Sequence, residues 1–310
     1  MLIKVLGSAA GGGFPQWNCN APTSRAAWDG KAGVLARTQS SLAVSAGRAG
    51  WIILNASPDI RQQIAATPAL HPRPEVALRD SPIRAVVLTN ADVDHVAGLL
   101  SLRERQPFNV YASPRVLAVL AANSIFNVLD PAHVARVPLA TGTATPLMHA
   151  GSPLGITIEA FPVPGKIALY LEDAGAGAAL GTSEGDTIGL KVIDTASGRA
   201  FYYLPACAQL DATLCQRLQG AELVFFDGTL YQDDELTRQG LSEKSGRRMG
   251  HLSMSGEDGS VAAFASLGVT RRIFVHVNTS NPVLLDHSPE RREIERAGWE
   301  IAYDGMEVNL

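Results

Sequence analysis

The chain has 310 residues, a net charge of −4 and 46% hydrophobic residues. That is enough apolar material to bury a core, and too little charge imbalance for disorder or for a dedicated nucleic-acid surface. No apolar run approaches the roughly 18 residues of a membrane span, and the apolar start is too short for a signal peptide.

From the N-terminus, a strand over 2–6 runs into a glycine-rich stretch that ends at Pro15. Strands come next at 41–45 and 51–55, then a helix at 59–66 and a buried strand at 83–88. The periodicity then predicts a helix over 94–105, a strand at 108–112 and a helix over 114–127. The second half opens with strands at 156–163, 188–194 and 200–204. A helix at 209–218, a strand at 223–226, a helix at 257–267, a strand at 273–276, a helix at 289–297 and a strand at 299–303 complete the order. Hairpin-type and crossover-type connections occur in both halves, which points to an α/β arrangement of sheets covered by helices. Composition allows one domain or two. Residues 172–186 and 237–250 read as long loops, either lids or plain insertions. Three cysteines (Cys19, Cys207, Cys215) cannot form a disulfide framework, so a cytoplasmic location is expected, with no membrane or nucleic-acid partner.

The chemistry concentrates where strands end. The strand at 83–88 is followed within a few residues by Asn90, Asp92, Asp94 and His95. One acid there would serve as a helix cap, but two acids and a histidine are the ligand types of Zn, Fe and Mn sites. His276 ends a second apolar strand and is followed by Asn278; Asp227 ends a third. These groups can share a site only if the three strands lie side by side. The glycine-rich start lacks the G-x-G-x-x-G spacing of a dinucleotide site.

The run from Asn90 to His95 resembles the His-x-His-x-Asp-His signature of the metallo-β-lactamase superfamily, with the two leading histidines replaced by Asn90 and Asp92. More closely, the chain resembles the pyrroloquinoline quinone (PQQ) biosynthesis protein B family. The resemblance is carried by residues 11–20, 39–41, 90–103, 226–230, 250–256 and 276–282. It implies an αββα sandwich forming a single domain over 1–310, with one site at the sheet edge. It also implies a metal held by Asp92, Asp94, His95 and His276, with Asn90, Asp227, His251 and Asn278 as catalytic or supporting residues. The superfamily's other metal position, aligned near Pro164 and Ala206 or Cys207, is largely dismantled.

Two imidazoles and a carboxylate form the ligand set of non-haem Fe(II) oxygenases. The resemblance therefore implies one divalent metal, Fe(II) ahead of Zn(II), with O2 and a Tyr/Glu-derived PQQ precursor as small-molecule partners. The alternatives are a single-metal hydrolase and a carrier of PQQ or its precursor towards the periplasm. Arg247 and Arg248 are the first candidates for substrate carboxylates, and Trp17 or Phe14 for its ring, although a solvated turn and simple packing explain them equally. The family's structural zinc run is reduced here to Cys19, with Ala21 and Ser24 at the next two positions and His251 as the distant histidine. Two such ligands are too few for a closed four-ligand site, so that zinc is expected to be absent. A homo-oligomer is left open.

Overall fold

The computed structural model describes residues 1–47, 50–171 and 185–310. Its strands are β1 (Leu2–Gly7), β2 (Ser41–Ser45), β3 (Trp51–Leu54), β4 (Ile83–Val87), β5 (Phe108–Ala112), β6 (Val134–Pro138), β7 (Ala144–His149), β8 (Ser152–Pro162), β9 (Ile188–Asp194), β10 (Ala200–Leu204), β11 (Leu223–Asp227), β12 (Arg271–Val275), β13 (Trp299–Ile301) and β14 (Glu307–Asn309). They form two seven-stranded sheets, ordered β14-β1-β2-β3-β4-β5-β6 and β13-β12-β11-β10-β9-β8-β7. In the first, β14 to β3 pair antiparallel and β3 to β6 parallel. The second repeats this pattern, antiparallel from β7 to β10 and parallel from β10 to β13.

The helices are α1 (Pro22–Trp28), α2 (Ile60–Ala66), α3 (Val93–Val96), α4 (Pro114–Ala122), α5 (Ala212–Leu218), α6 (Glu235–Arg238), α7 (Ser260–Phe264) and α8 (Pro289–Arg296). Side chains alternate between the two faces of a strand, and that alternation divides the core. Val87, Phe225 and Ile273 point between the sheets, where Leu54, Ile158 and Phe201 join them. Their neighbours Val86, Phe226 and Phe274 point outward. Val86 meets Ile60 of α2, Val96 of α3 and Val116 of α4. Phe226 and Phe274 meet Leu214 of α5, Phe264 of α7 and Ile294 of α8. Each buried aliphatic or Phe side chain contributes roughly 1.5–3 kcal/mol. The result is the expected αββα sandwich. No helix of the described residues is long and apolar enough to cross a membrane.

Several elements differ from the sequence reading. The helix expected over 94–105 is one α turn, α3, followed by a 3-10 segment over Ala97–Leu102. The backbone packs closely there: a Cβ on Gly98 would lie 2.1 Å from the Ser57 carbonyl oxygen. The helix expected over 114–127 stops at Ala122, and a 3-10 turn covers Ser124–Val128. Strands β6, β7 and β14 and helices α1 and α6 are additional. The long loop at 237–250 starts in α6 and folds back on itself, with Gly246 N–H donating to the Asp233 carbonyl (2.9 Å) and His251 N–H to that of Gly246 (3.0 Å). Most of the other long loop, 172–184, lies outside the described residues.

The sheets are joined at the edge that matters. Beyond β1, Ala9 bridges to Gln39 of one sheet's loops and to Val277 of the other's. Val277 N–H donates to the Ser8 carbonyl (2.9 Å), and Ala10 N–H to that of Val277 (2.9 Å).

Candidate metal centre

At the end of β4, Asn55 from the end of β3 holds the turn. Its side chain accepts Thr89 N–H (2.9 Å) and donates to Thr89 Oγ1 (2.9 Å). Asn90 organises the turn that leads into α3. Its Oδ1 accepts Asp92 N–H (3.1 Å) and His95 Nδ1–H (2.6 Å), and its Nδ2 donates to Asp92 Oδ2 (3.1 Å). The short helix α3 is clamped from below: the His95 carbonyl accepts Ala56 N–H (2.8 Å), and Gly98 N–H donates to the Ala56 carbonyl (2.9 Å).

From the other sheet, β11 and β12 run side by side with Asp227 opposite Val275. Asp227 is fully buried. Its Oδ2 accepts His251 Nδ1–H (2.7 Å) and Cys207 N–H (3.0 Å), and its Oδ1 accepts from the Thr229 N–H (3.0 Å) and hydroxyl (2.6 Å). His276, just past β12, has φ 59°. That left-handed conformation is uncommon outside glycine; here Val277, paired to the end of β1, holds it.

The three strand ends converge. Asp94 Oδ2 lies 3.0 Å from His276 Nε2 and 3.9 Å from His95 Nε2. Ligand atoms of Asp94, His95 and His276 all fall within 4.8 Å of one another, and those of Asp227, His251 and His276 form a second such group. The His251 and His276 rings stack, 5.3 Å apart with 22° between planes. His95 is buried, and its Nε2 has no hydrogen-bond partner. A buried nitrogen left unpaired costs desolvation energy without return, unless a ligand takes it. Two imidazole nitrogens and a carboxylate oxygen at this spacing fit a divalent cation.

Electrostatics agree. Burial, opposed by the Asp94 charge, pushes His95 down to about 4 and keeps it neutral, the form that ligates. Burial also disfavours protonated His276, but the hydrogen bond and charge of Asp94, with Asp227 and Asp92, raise its pKa. Burial opposes ionisation of Asp94, yet His95 and His276 lower its pKa. Gly11 faces this carboxylate, since a Cβ there would lie 3.4 Å from Asp94 Oδ2. The glycine-rich start therefore lines the mouth of the site.

The other candidate residues differ in how near they come to the centre. Asp92 lies outside both ligand groups and is engaged by the Asn90 carboxamide. His251 belongs with Asp227 and His276. Cys19 is in neither group, and its Sγ accepts Ala21 N–H at 3.4 Å. Ser24 Oγ meets Thr279 Oγ1 at 2.5 Å. Asn278 closes the turn through its backbone, donating to the Thr229 carbonyl (3.0 Å). Arg247 and Arg248 sit in an exposed 3-10 turn, with Arg247 3.6 Å from Asp258. Trp17 is 81% exposed, whereas Phe14 is buried in the outer core. Among the described residues a cavity of about 1060 Å³ is lined by Pro164, Thr187, Ala208, Arg247 and Leu252 among others, and by none of Asp94, His95, Asp227, His251 and His276. Thr229 is a site residue that the sequence reading does not single out, although it lies in the matching stretch 226–230, two residues after a buried strand-end acid.

Residues 50–277 match the family described as "Beta-lactamase superfamily domain". Over 100% of both chains, this one is 55% identical to a coenzyme PQQ synthesis protein B of Rhodopseudomonas palustris (strain TIE-1). It is 50% identical, again over 100% of both, to one of Xanthomonas campestris pv. campestris (strain B100). The crystal structure of Zn(2+)-bound PqqB from Methylobacterium extorquens superposes with a TM-score of 0.93 at 46% identity, covering 100% of each chain. The chain belongs to the coenzyme PQQ synthesis protein B family, within the beta-lactamase superfamily.

Proposed function

We propose that this chain is a metal-dependent oxygenase of PQQ biosynthesis that hydroxylates the tyrosine-derived ring of a Tyr/Glu-derived precursor. The observation that carries this reading is the convergence of two imidazoles and one carboxylate, with Asn90 and Asp92 standing where the superfamily signature has histidines. Asp94, His95 and His276 would hold an Fe(II) ion, which when bound would supply the electron-transfer chemistry for O2 activation. The balance is one ring C–H, O2, two electrons and two protons giving a phenol and water, so a two-electron reductant is required.

The chain's own residues prepare the site. Asn90 aims His95 Nε2 inward. Asp227 accepts the His251 Nδ1–H hydrogen bond and turns Nε2 away from itself, the arrangement in which a carboxylate orients a histidine for general acid–base work. Asp92 is proposed to tune the centre through Asn90, or as a further ligand once substrate is bound. Arg247, which lines the cavity described above, and Arg248 are proposed to bind substrate carboxylates by charge-assisted hydrogen bonds. Trp17 is proposed to lie against the ring.

The test is anaerobic loading with Fe(II), then O2 uptake and product mass with the precursor and ascorbate. Uptake coupled to a gain of one oxygen, lost in His276→Ala, supports the reading. A second reading, a single-metal hydrolase using Zn(II) to acidify water, is favoured by the Zn(2+)-bound relative. Turnover with Zn(II) under anaerobic conditions would sink the oxygenase. PQQ binding that survives both His276→Ala and Asp94→Ala, without turnover, would instead indicate the carrier.

A further inference from the structure

We infer that Thr229 is a positioning residue that fixes which nitrogen of His276 faces the metal centre and, with Asp227, does the same for His251. The inference rests on the Asp94, His95 and His276 site proposed above. Four groups surround the Thr229 hydroxyl oxygen: Asp227 Oδ1 at 2.6 Å, His276 Nδ1 at 2.8 Å, the His276 carbonyl at 3.0 Å and His251 Nδ1 at 3.1 Å. A hydroxyl has one proton to give and two lone pairs.

The Asp227 carboxylate can only accept, and two oxygens 2.6 Å apart need a hydrogen between them. The Thr229 proton therefore goes to Asp227. With its proton committed, the oxygen can only accept from the ring nitrogen at 2.8 Å, so His276 carries hydrogen on Nδ1. Nε2 of His276 is left as the atom turned to Asp94. The same carboxylate accepts Nδ1–H of His251 through its other oxygen, so both stacked rings carry hydrogen on Nδ1 and share one anchor. The Thr229 N–H, which also donates to Asp227 Oδ1, holds the hydroxyl in register with that carboxylate. A threonine is thereby the hinge between a buried acid and two imidazoles. Ligating histidines are held in this way by the group on their other nitrogen, and losing that group costs about 10–100-fold in metal affinity.

The experiment compares wild type with Thr229→Val, which keeps the shape and removes the hydroxyl, and Thr229→Ser, which restores it. Zn2+ affinity is measured by chelator competition, and the ring nitrogens of metal-free protein by 15N NMR at one fixed pH. Expected are a 10–100-fold loss of Zn2+ affinity in Thr229→Val with altered His276 and His251 ring signals, and a return to within about threefold in Thr229→Ser. Wild-type affinity and ring signals in Thr229→Val overturn the inference, as does a Thr229→Ser variant as impaired as Val while equally folded. Thr229→Ala carries the same comparison if the Val variant melts below the assay temperature. Failure of the site itself looks different: Zn2+ affinity then stays unchanged in His276→Ala, while the metal-free ring signals still report on Thr229.

Discussion

The side-chain oxygen of Asn90 lies 2.6 Å from Nδ1 of His95 and also accepts the Asp92 backbone N–H. The carboxamide thus reads the ring and the turn at once, and leaves His95 Nε2 as the buried, unpartnered atom. Asn90→Leu should weaken divalent-metal affinity by about 10–100-fold, measured by chelator competition. Asn90→Asp, which keeps an acceptor at that point, should lose much less. Equal losses in the two variants would show that the carboxamide acts by filling space.

Gly98→Ala tests the clamp under α3. Its Cβ would lie 2.1 Å from the Ser57 carbonyl oxygen, a backbone atom with nowhere to go. The expected cost is about 1–3 kcal/mol of overpacking, seen as a lower midpoint in urea. Metal affinity should fall with it, because the same clamp seats His95. Unchanged stability would mean that α3 can slide.

His276 separates strain from chemistry. Its φ of 59° suits Asn better than a β-branched side chain. Metal-free His276→Asn should therefore melt near wild type, within about 1 kcal/mol, while His276→Val should lose about 1–3 kcal/mol more. Both should lose metal binding. Comparable stability in the two variants would place the loop's strain elsewhere.

The depressed pKa of His95 predicts a pH dependence for the metal-free protein. Unfolded, the ring binds a proton near its ordinary 6.5; folded, it does so only near about 4. Between these values the unfolded state holds more protons, so stability falls as pH drops, by at most about 1.4 kcal/mol per unit from this group. The loss begins below 6.5 and saturates below 4. His276, raised instead, contributes stability below 6.5 that is lost as pH climbs through its folded pKa. Urea melts of wild type and His95→Gln across about pH 4–7 isolate the His95 contribution as their difference. Parallel curves would refute it.

Burial decides how much of the fold and site was legible in the sequence. The last residues of β4, β11 and β12 are apolar on both faces and give way to acids and histidines, so strand and site were visible together. Strands β6 and β7 were not, because they alternate with exposed residues such as Ala135 and Pro146 and carry little apolar signal. Helix α1 lies in a polar stretch that opens on Pro22. His251 was paired with Cys19 by the family's zinc pattern; only coordinates show Asp227 holding its ring. Thr229 lies inside the 226–230 stretch that carries the family resemblance, but its role was not legible there, since a hydroxyl acquires a role only from the atoms that the fold brings to it.

The Asp94–His276 contact joins points 182 positions apart in the chain. One follows a strand of the sheet built mainly from the first half, and the other a strand of the sheet built mainly from the second. A cation shared by them would act as a reversible cross-link between the two halves, with the long intervening span as its loop. Loading and unloading the centre therefore also fastens and unfastens the seam between the sheets, and a protease added with a chelator should find that seam first.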